Sequence, residues 1–242
     1  MLDHRHARPT KPARAVVIGA GGFVGGAVVD ALAGARVETL ALGRKEVDLL
    51  AAGAGDRLAA LLRPTDCVFA VSSIAPVKNT AMLADNMILL DAMTTAFAKA
   101  RPAHIINIGS DAVFADEPRP LHEGSPRAPG SLHGVMHLAR EVAFGDLGLP
   151  LATLRPTLIY GAADPHNGYG PNRFLRLAAA GKDIVLFGEG EERRDHVFIG
   201  NVADLAVRIA LFGSTGSLNA ATGMVWSFRE VAETVAGLFE PR

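Results

Sequence analysis

The chain has 242 residues, 49% of them hydrophobic and 20% charged, and a net charge of −1. That is enough for one full core with at most a small appendage, and the charge balance gives no electrostatic footprint for nucleic acid or an anionic membrane. A single cysteine, Cys67, excludes a disulfide framework or a cysteine metal cluster.

Residues 1–13 carry His, Arg and Pro without an apolar signal core, and read as a disordered tail. From there strand and helix patterns alternate. Residues 15–19 read as a strand, 23–33 as a helix, 37–42 as a strand, and 56–62 as a short helix halted before Pro64. Strand 67–72, long helix 80–99 and strand 104–109 follow. The segment 117–130 is rich in Pro and Gly and reads as a loop. A helix over 131–145 and a strand over 151–160 complete the first part. Apolar strands without alternation, separated by helices, predict an α/β fold with a doubly wound parallel sheet covered on both faces. This Rossmann-type domain is expected over 14–161.

Beyond Gly161 the texture changes to Gly, Pro, Asn and Asp. Residues 162–242 read as a small substrate cap, with 201–222 returning to the Rossmann domain. Within it, 174–180 reads as helix, 184–187 as a short strand, 188–195 as a charged loop, 201–211 as helix and 217–221 as strand. Ser227 followed by Glu230 reads as the capped start of a last helix. No run reaches membrane-spanning length without glycine or charge, so the expected location is the cytoplasm.

Ligands of doubly wound sheets lie at the carboxyl ends of the strands. There the sequence places Gly19-x-x-Gly22-x-x-Gly25, opening a helix. Glycines allow a tight turn and close backbone approach, and the helix start offers free N–H groups to a pyrophosphate. About 20 residues on, where an acid would hold a ribose 2′-hydroxyl, stands Gly43-Arg44. Arg44 suits a 2′-phosphate, which leans the cofactor to NADP over NAD. Asp48 is placed either to meet the adenine amine or to cap the turn that follows. Ser110 and Asp111 fall at another strand end.

Several segments in order resemble the extended short-chain dehydrogenases/reductases, the NAD-dependent epimerase/dehydratase family. They are the glycine turn, Asn86 on the long helix, Ser110-Asp111-Ala112-Val113-Phe114, Leu154-Arg155-Pro156, Phe187-Gly188-x-Gly190 with Arg194-Asp195, and Asn219 to Gly223. The resemblance covers roughly 13–237 and implies a nucleotide-linked or related sugar as substrate. It implies a cofactor set of Gly19, Gly22, Phe23, Val24, Gly25, Arg44, Asp48, Ala70, Asn86 and Pro156. It implies Ser110 as a catalytic hydroxyl and Asp111, Asn172 and Arg194 as substrate contacts, and a homodimer paired through helices 80–99 and 131–145. Redox, epimerisation and dehydration all stay open.

One departure stands out. The family's Tyr-x-x-x-Lys position here reads His133-Gly134-Val135-Met136-His137. The spacing puts both imidazoles on one helix face, with an unperturbed pKa near ~6.5 that suits proton transfer. Three readings stand side by side: recruited acid/base histidines, a cofactor-binding regulatory or assembly protein without turnover, and a metal site lacking a secure third ligand. The leading expectation is an NAD(P)-dependent enzyme with His133 and His137 as catalytic groups beside Ser110 and no bound metal.

Overall fold

The computed structural model describes residues 1–117 and 119–239. After a short β1 (Leu2–Asp3), the chain builds the main sheet from β2 (Arg14–Ile18), β3 (Thr39–Leu42), β4 (Asp66–Ala70), β5 (His104–Ile108) and β6 (Leu151–Pro156). These last five strands are all parallel. Between them run α1 (Phe23–Gly34), α2 (Ala54–Leu61), α3 (Thr80–Ala100) and α4 (Leu132–Gly145). Every residue of β2, β4 and β5 is buried, as it must be in a sheet covered on both sides. Alternate residues of β2 serve different cores. Ala15 and Val17 pack with α1, and Val16 and Ile18 pack with Leu58, Met93 and Phe97 of α2 and α3.

A late strand, β9 (Thr215–Ala220), returns to this sheet, whose order is β1-β9-β6-β5-β4-β2-β3. The chain leaves β2 toward β3 and returns on its other side as β4, so the strand order reverses between β2 and β4. That crevice is where doubly wound sheets take ligands.

Three sequence expectations change. The segment 1–13 is not a disordered tail. Leu2 and Asp3 pair antiparallel with β9, and His6 and Thr10 donate backbone N–H groups to Phe212 and Leu211. The edge of β9 would otherwise leave its backbone groups unpaired. The strand expected over 151–160 breaks at Thr157. Its second half, β7 (Leu158–Tyr160), joins a three-stranded sheet with β8 (Arg193–Phe198) and β10 (Val225–Ser227). The Thr157 hydroxyl donates to Asp195 Oδ1, and its N–H to the Ala220 carbonyl, holding the break. Residues 184–187 are no strand; Val185 and Phe187 project outward, with no strand beside them among the described residues.

The small sheet is backed by α5 (Pro171–Ala179) and α7 (Phe228–Gly237), which bury Phe174, Phe228 and Val235 around Tyr169. Ser227 and Glu230 close a reciprocal cap at the start of α7. α6 (Ile199–Phe212) packs beside α1, and β9 extends the main sheet next to β6. Residue 118, in the loop over 117–130, and residues 240–242 lie outside the described residues. Among the described residues no helix is long and apolar enough to cross a membrane.

One buried ion network fixes α4 on the sheet. Glu141 accepts from Arg155 Nε and Nη2 at 2.7 and 2.8 Å and from Arg127 at 3.0 Å. Both Glu141 and Arg155 are buried. Glu141→Leu therefore strands the Arg155 cation. The variant is expected to lose about 3–5 kcal/mol in urea unfolding, the usual cost of breaking a buried pair from one side.

Candidate active site

The glycine turn follows β2 and is packed too tightly for side chains at two points. Gly19 has φ +95°, and a Cβ there would stand 2.7 Å from the Ser72 nitrogen. A Cβ on Gly25 would stand 2.1 Å from the Gly19 carbonyl oxygen. The turn thus presses the end of β2 against both α1 and the chain leaving β4. Gly22 is different. It is the N-cap of α1 with φ −88°, and its added Cβ would meet only the Gly19 oxygen at 3.4 Å.

Among the described residues no side chain caps α1, and its first turn holds no acid. Its leading N–H groups and positive dipole end therefore face the cleft. That cleft encloses about 560 Å³ and is lined by Gly19, Gly22, Phe23, Val24, Gly25 and Arg44, with Ser72, Ser73 and Ile159 opposite. A smaller recess between the ends of β2 and β3 adds Asp48 beside Arg44. Asp48 Oδ1 accepts from the Leu50 N–H, so it caps the local turn. An uncapped helix start, glycine walls and an exposed arginine fit the pyrophosphate and ribose of a dinucleotide.

Other expected polar site residues have partners within the protein. Asn86 accepts from Ile74 N–H and donates to the carbonyls of Ile74 and Met82, so it braces the chain beyond β4 from within α3. Asn172 accepts from Gly161 N–H and donates to Asp164. Arg194 is paired with Asp116 at 3.0 Å and with Glu192 at 2.6 Å. Ala70 and Pro156 are buried at the ends of β4 and β6.

Ser110 caps a single 3-10 turn, Asp111–Val113, by accepting from Ala112 N–H, and its hydroxyl lies 3.2 Å from Asp111 Oδ1. Burial pushes the Asp111 carboxyl above the usual range, against the pull of Ser110 and Arg194. This turn meets α4 directly, because a Cβ on Gly134 would stand 2.0 Å from the Ala112 carbonyl oxygen. Only glycine admits that approach, and it brings the Ser110 turn against the helix turn that carries His133.

His133 and His137 stack edge to face, with ring centroids 4.7 Å apart. His137 is buried and His133 half-buried, and each leaves its Nδ1 buried without a hydrogen-bond partner among the described residues. Burial lowers both pKa values, that of His137 further with help from Arg140 and His133. The pair does not line the large cleft. It stands beside it, on the face of α4 that carries Arg140 to the Ser72 carbonyl. Among the described residues no third His, Cys, Asp or Glu joins the pair in metal-binding geometry.

Motif spacing does not single out Arg140. Its guanidinium is buried, donating to the carbonyls of Ala70 and Ser72 and to Asn107 Oδ1. A signal is nonetheless present in the sequence, since 133, 137 and 140 fall on one helix face.

A parallel doubly wound sheet with a glycine turn at its switch point defines a dinucleotide-binding α/β protein. The model of the NAD dependent epimerase/dehydratase family matches residues 15–221, and the chain belongs to that family. It is 32% identical over 124 residues to a UDP-glucose 4-epimerase of Mycolicibacterium smegmatis. That match covers 50% of this chain and 39% of the relative, well short of the relative's full length. Among solved structures, the UDP-N-acetylglucosamine 4-epimerase of Bacillus cereus superposes with a TM-score of 0.81 at 22% identity, covering 93% of this chain and 81% of the other. The UDP-glucose 4-epimerase of Thermus thermophilus, in complex with NAD, gives 0.79 at 24% identity over 93% and 82%. At these identities the superpositions establish the fold.

Proposed function

We propose that the protein is an NAD(P)-dependent enzyme acting on a nucleotide-linked or related sugar, with His133 exchanging the substrate proton. The observation that carries this reading is the juxtaposition at the carboxyl edge of the sheet. The glycine turn, the Ser72 wall and the α4 face bearing His133 and His137 meet there. A dinucleotide held there would supply hydride acceptance and donation. The residues of the chain do the rest. Backbone N–H groups at the start of α1 would hold its pyrophosphate. Neutral His133 takes up a hydroxyl proton on a ring nitrogen, and the Ser110 hydroxyl donates to the same substrate oxygen.

Arg44 is exposed and, among the described residues, has no protein partner. It serves a 2′-phosphate, which supports NADP over NAD. Arg44→Asp is expected to weaken NADP binding by about tenfold or more and NAD binding little, as read by calorimetry of both cofactors. An unchanged preference would make Arg44 a solvated loop residue. A second copy of the chain is the proposed partner. Ile88 of α3 and Val135 and Val142 of α4 are exposed apolar residues on the two helices that would form the seam.

The second reading, a dinucleotide-binding regulator without turnover, draws support from Arg194 and Asn172. Asn172 is held by Gly161 and Asp164, and Arg194 is drawn into surface ion pairs with Asp116 and Glu192, so neither stands unpaired for a substrate. Incubating the protein with NAD or NADP and a panel of UDP-hexoses and free hexoses separates the two. Turnover of any of these supports the enzyme. Dinucleotide binding without turnover across the panel supports the regulator.

A further inference from the structure

Three residues of α4, His133, His137 and Arg140, form a column that runs inward from the half-buried His133 to Arg140, a residue only 2% exposed. Their spacing of four and then three residues keeps them on one face. The rings touch edge to face. At the inner end Arg140 Nη1 meets the Ser72 carbonyl at 2.5 Å and Nη2 the Ala70 carbonyl at 2.6 Å. Nε and Nη2 both reach Asn107 Oδ1, at 3.2 and 3.1 Å. Among the described residues no carboxylate pairs with this cation. Glu141, the neighbouring acid on α4, is taken by Arg155 and Arg127.

A buried cation held by carbonyl dipoles and the face of the Phe144 ring, 5.6 Å from its centroid, has no anion to offset the loss of its hydration. Desolvation brings the Arg140 pKa down to about 10, so it still carries its charge at neutral pH. Structure alone does not call for a charge here. The carbonyls of Ala70 and Ser72 and Asn107 Oδ1 need hydrogen-bond donors, and a neutral donor would meet that need. Sites that break the rules of burial in this way cluster where function needs them.

We propose that Arg140 is a positioning residue, a fixed positive charge that locks the adjacent His137 as the neutral imidazole and so keeps the His133–His137 pair a proton acceptor. Burial acts most on His137, and the charged groups that add to it are Arg140 and His133, both on α4; of the elements packed against α4, β6 brings Arg155, which is bound to Glu141, and the 3-10 turn brings Asp111, and neither adds to them among the described residues. On His133 burial alone acts. A cationic His137 would lie one helical turn from the buried guanidinium, in a medium of low dielectric, and the repulsion would add to the desolvation that already disfavours it. The neutral His137 ring then offers His133 an uncharged neighbour. His133 receives a proton without a second imidazolium beside it. The inference rests on the proposed function only for what that neutrality serves, because the titration itself is read without dinucleotide or substrate.

The test is an NMR pH titration of the histidine rings in the wild type and in Arg140→Met and Arg140→Lys, each without ligand. The wild-type His137 should stay neutral to the acid limit of the folded protein. In Arg140→Met a midpoint should appear within the folded range, about one pH unit or more above the lowest pH at which wild-type His137 is still neutral, and in Arg140→Lys, which keeps the charge, none should appear. Where Arg140→Met does not fold, Arg140→Gln, which is uncharged and keeps an N–H donor for the Ala70 and Ser72 carbonyls, should show the same rise. A folded charge-free variant whose His137 stays neutral to the acid limit, as in the wild type, overturns the proposal. So does a wild-type His137 that titrates at or above the ordinary ~6.5 of an imidazole. Loss of dinucleotide binding with the predicted titrations intact would count against the proposed function and leave Arg140's role standing.

Discussion

Gly22→Val is expected to fold normally and to lose dinucleotide binding by about 100-fold or more in calorimetry. The reason is the difference between the three glycines of the turn. Gly19 and Gly25 are required by the protein itself, since side chains there would collide with Ser72 and with the Gly19 carbonyl. Gly22 sits at an ordinary φ of −88° with its nearest neighbour 3.4 Å from an added Cβ. A valine there fits the fold and protrudes over the start of α1, where the phosphates approach. Gly25→Val is the control, expected to destabilise the protein outright. If Gly22→Val binds NAD and NADP as the wild type does, the pyrophosphate does not lie over this helix.

His133→Ala is expected to lower kcat by about 10²–10⁴-fold, the usual loss for a general acid or base, with cofactor affinity nearly intact. The pH profile carries the same argument with a sign. Burial lowers the His133 pKa, so the neutral, proton-accepting form persists further into acid than for a free imidazole. The rate should rise with pH through this lowered value, below ~6.5, and be flat through neutrality. From residue type alone a titration close to neutral would follow; the desolvated setting on α4 moves it to the acid side. A wild-type profile that rises only in the alkaline range, as for a phenol, would point to another group. An alanine variant with full activity would remove His133 from the reaction.

The sequence makes legible what depends on local pattern. The apolar strands at β2, β4 and β5 are buried on both faces, and nothing competes with that reading. The glycine spacing marks the turn because only glycine tolerates the contacts at Gly19 and Gly25. Ser227 and Glu230 announce α7 because their bonds close within one helical turn. What depends on distant partners is not legible. The break after Pro156 is held by Thr157 against Asp195 and Ala220, residues far along the chain. The run 184–187 has strand-like composition but finds no strand to pair with among the described residues.

The candidate site divides in the same way. Positions in the cleft wall can be read from motif spacing, and Phe23, Val24 and Arg44 do line it. Whether a polar side chain is free cannot be read. Asn86, Asn172 and Arg194 look available in the sequence, yet each is engaged by groups that the fold brings to it. Arg140 shows the reverse. It looks like a solvated helix arginine, and the fold buries it against β4 and β5.

The most direct test of dinucleotide binding is a native mass spectrum of the purified wild-type protein, taken alone and after addition of NAD and of NADP. The expected result is a mass increment of one dinucleotide per chain, present as purified or on addition, stronger for NADP and absent in Gly22→Val. A wild-type protein that takes up neither dinucleotide, while folded, would contradict it.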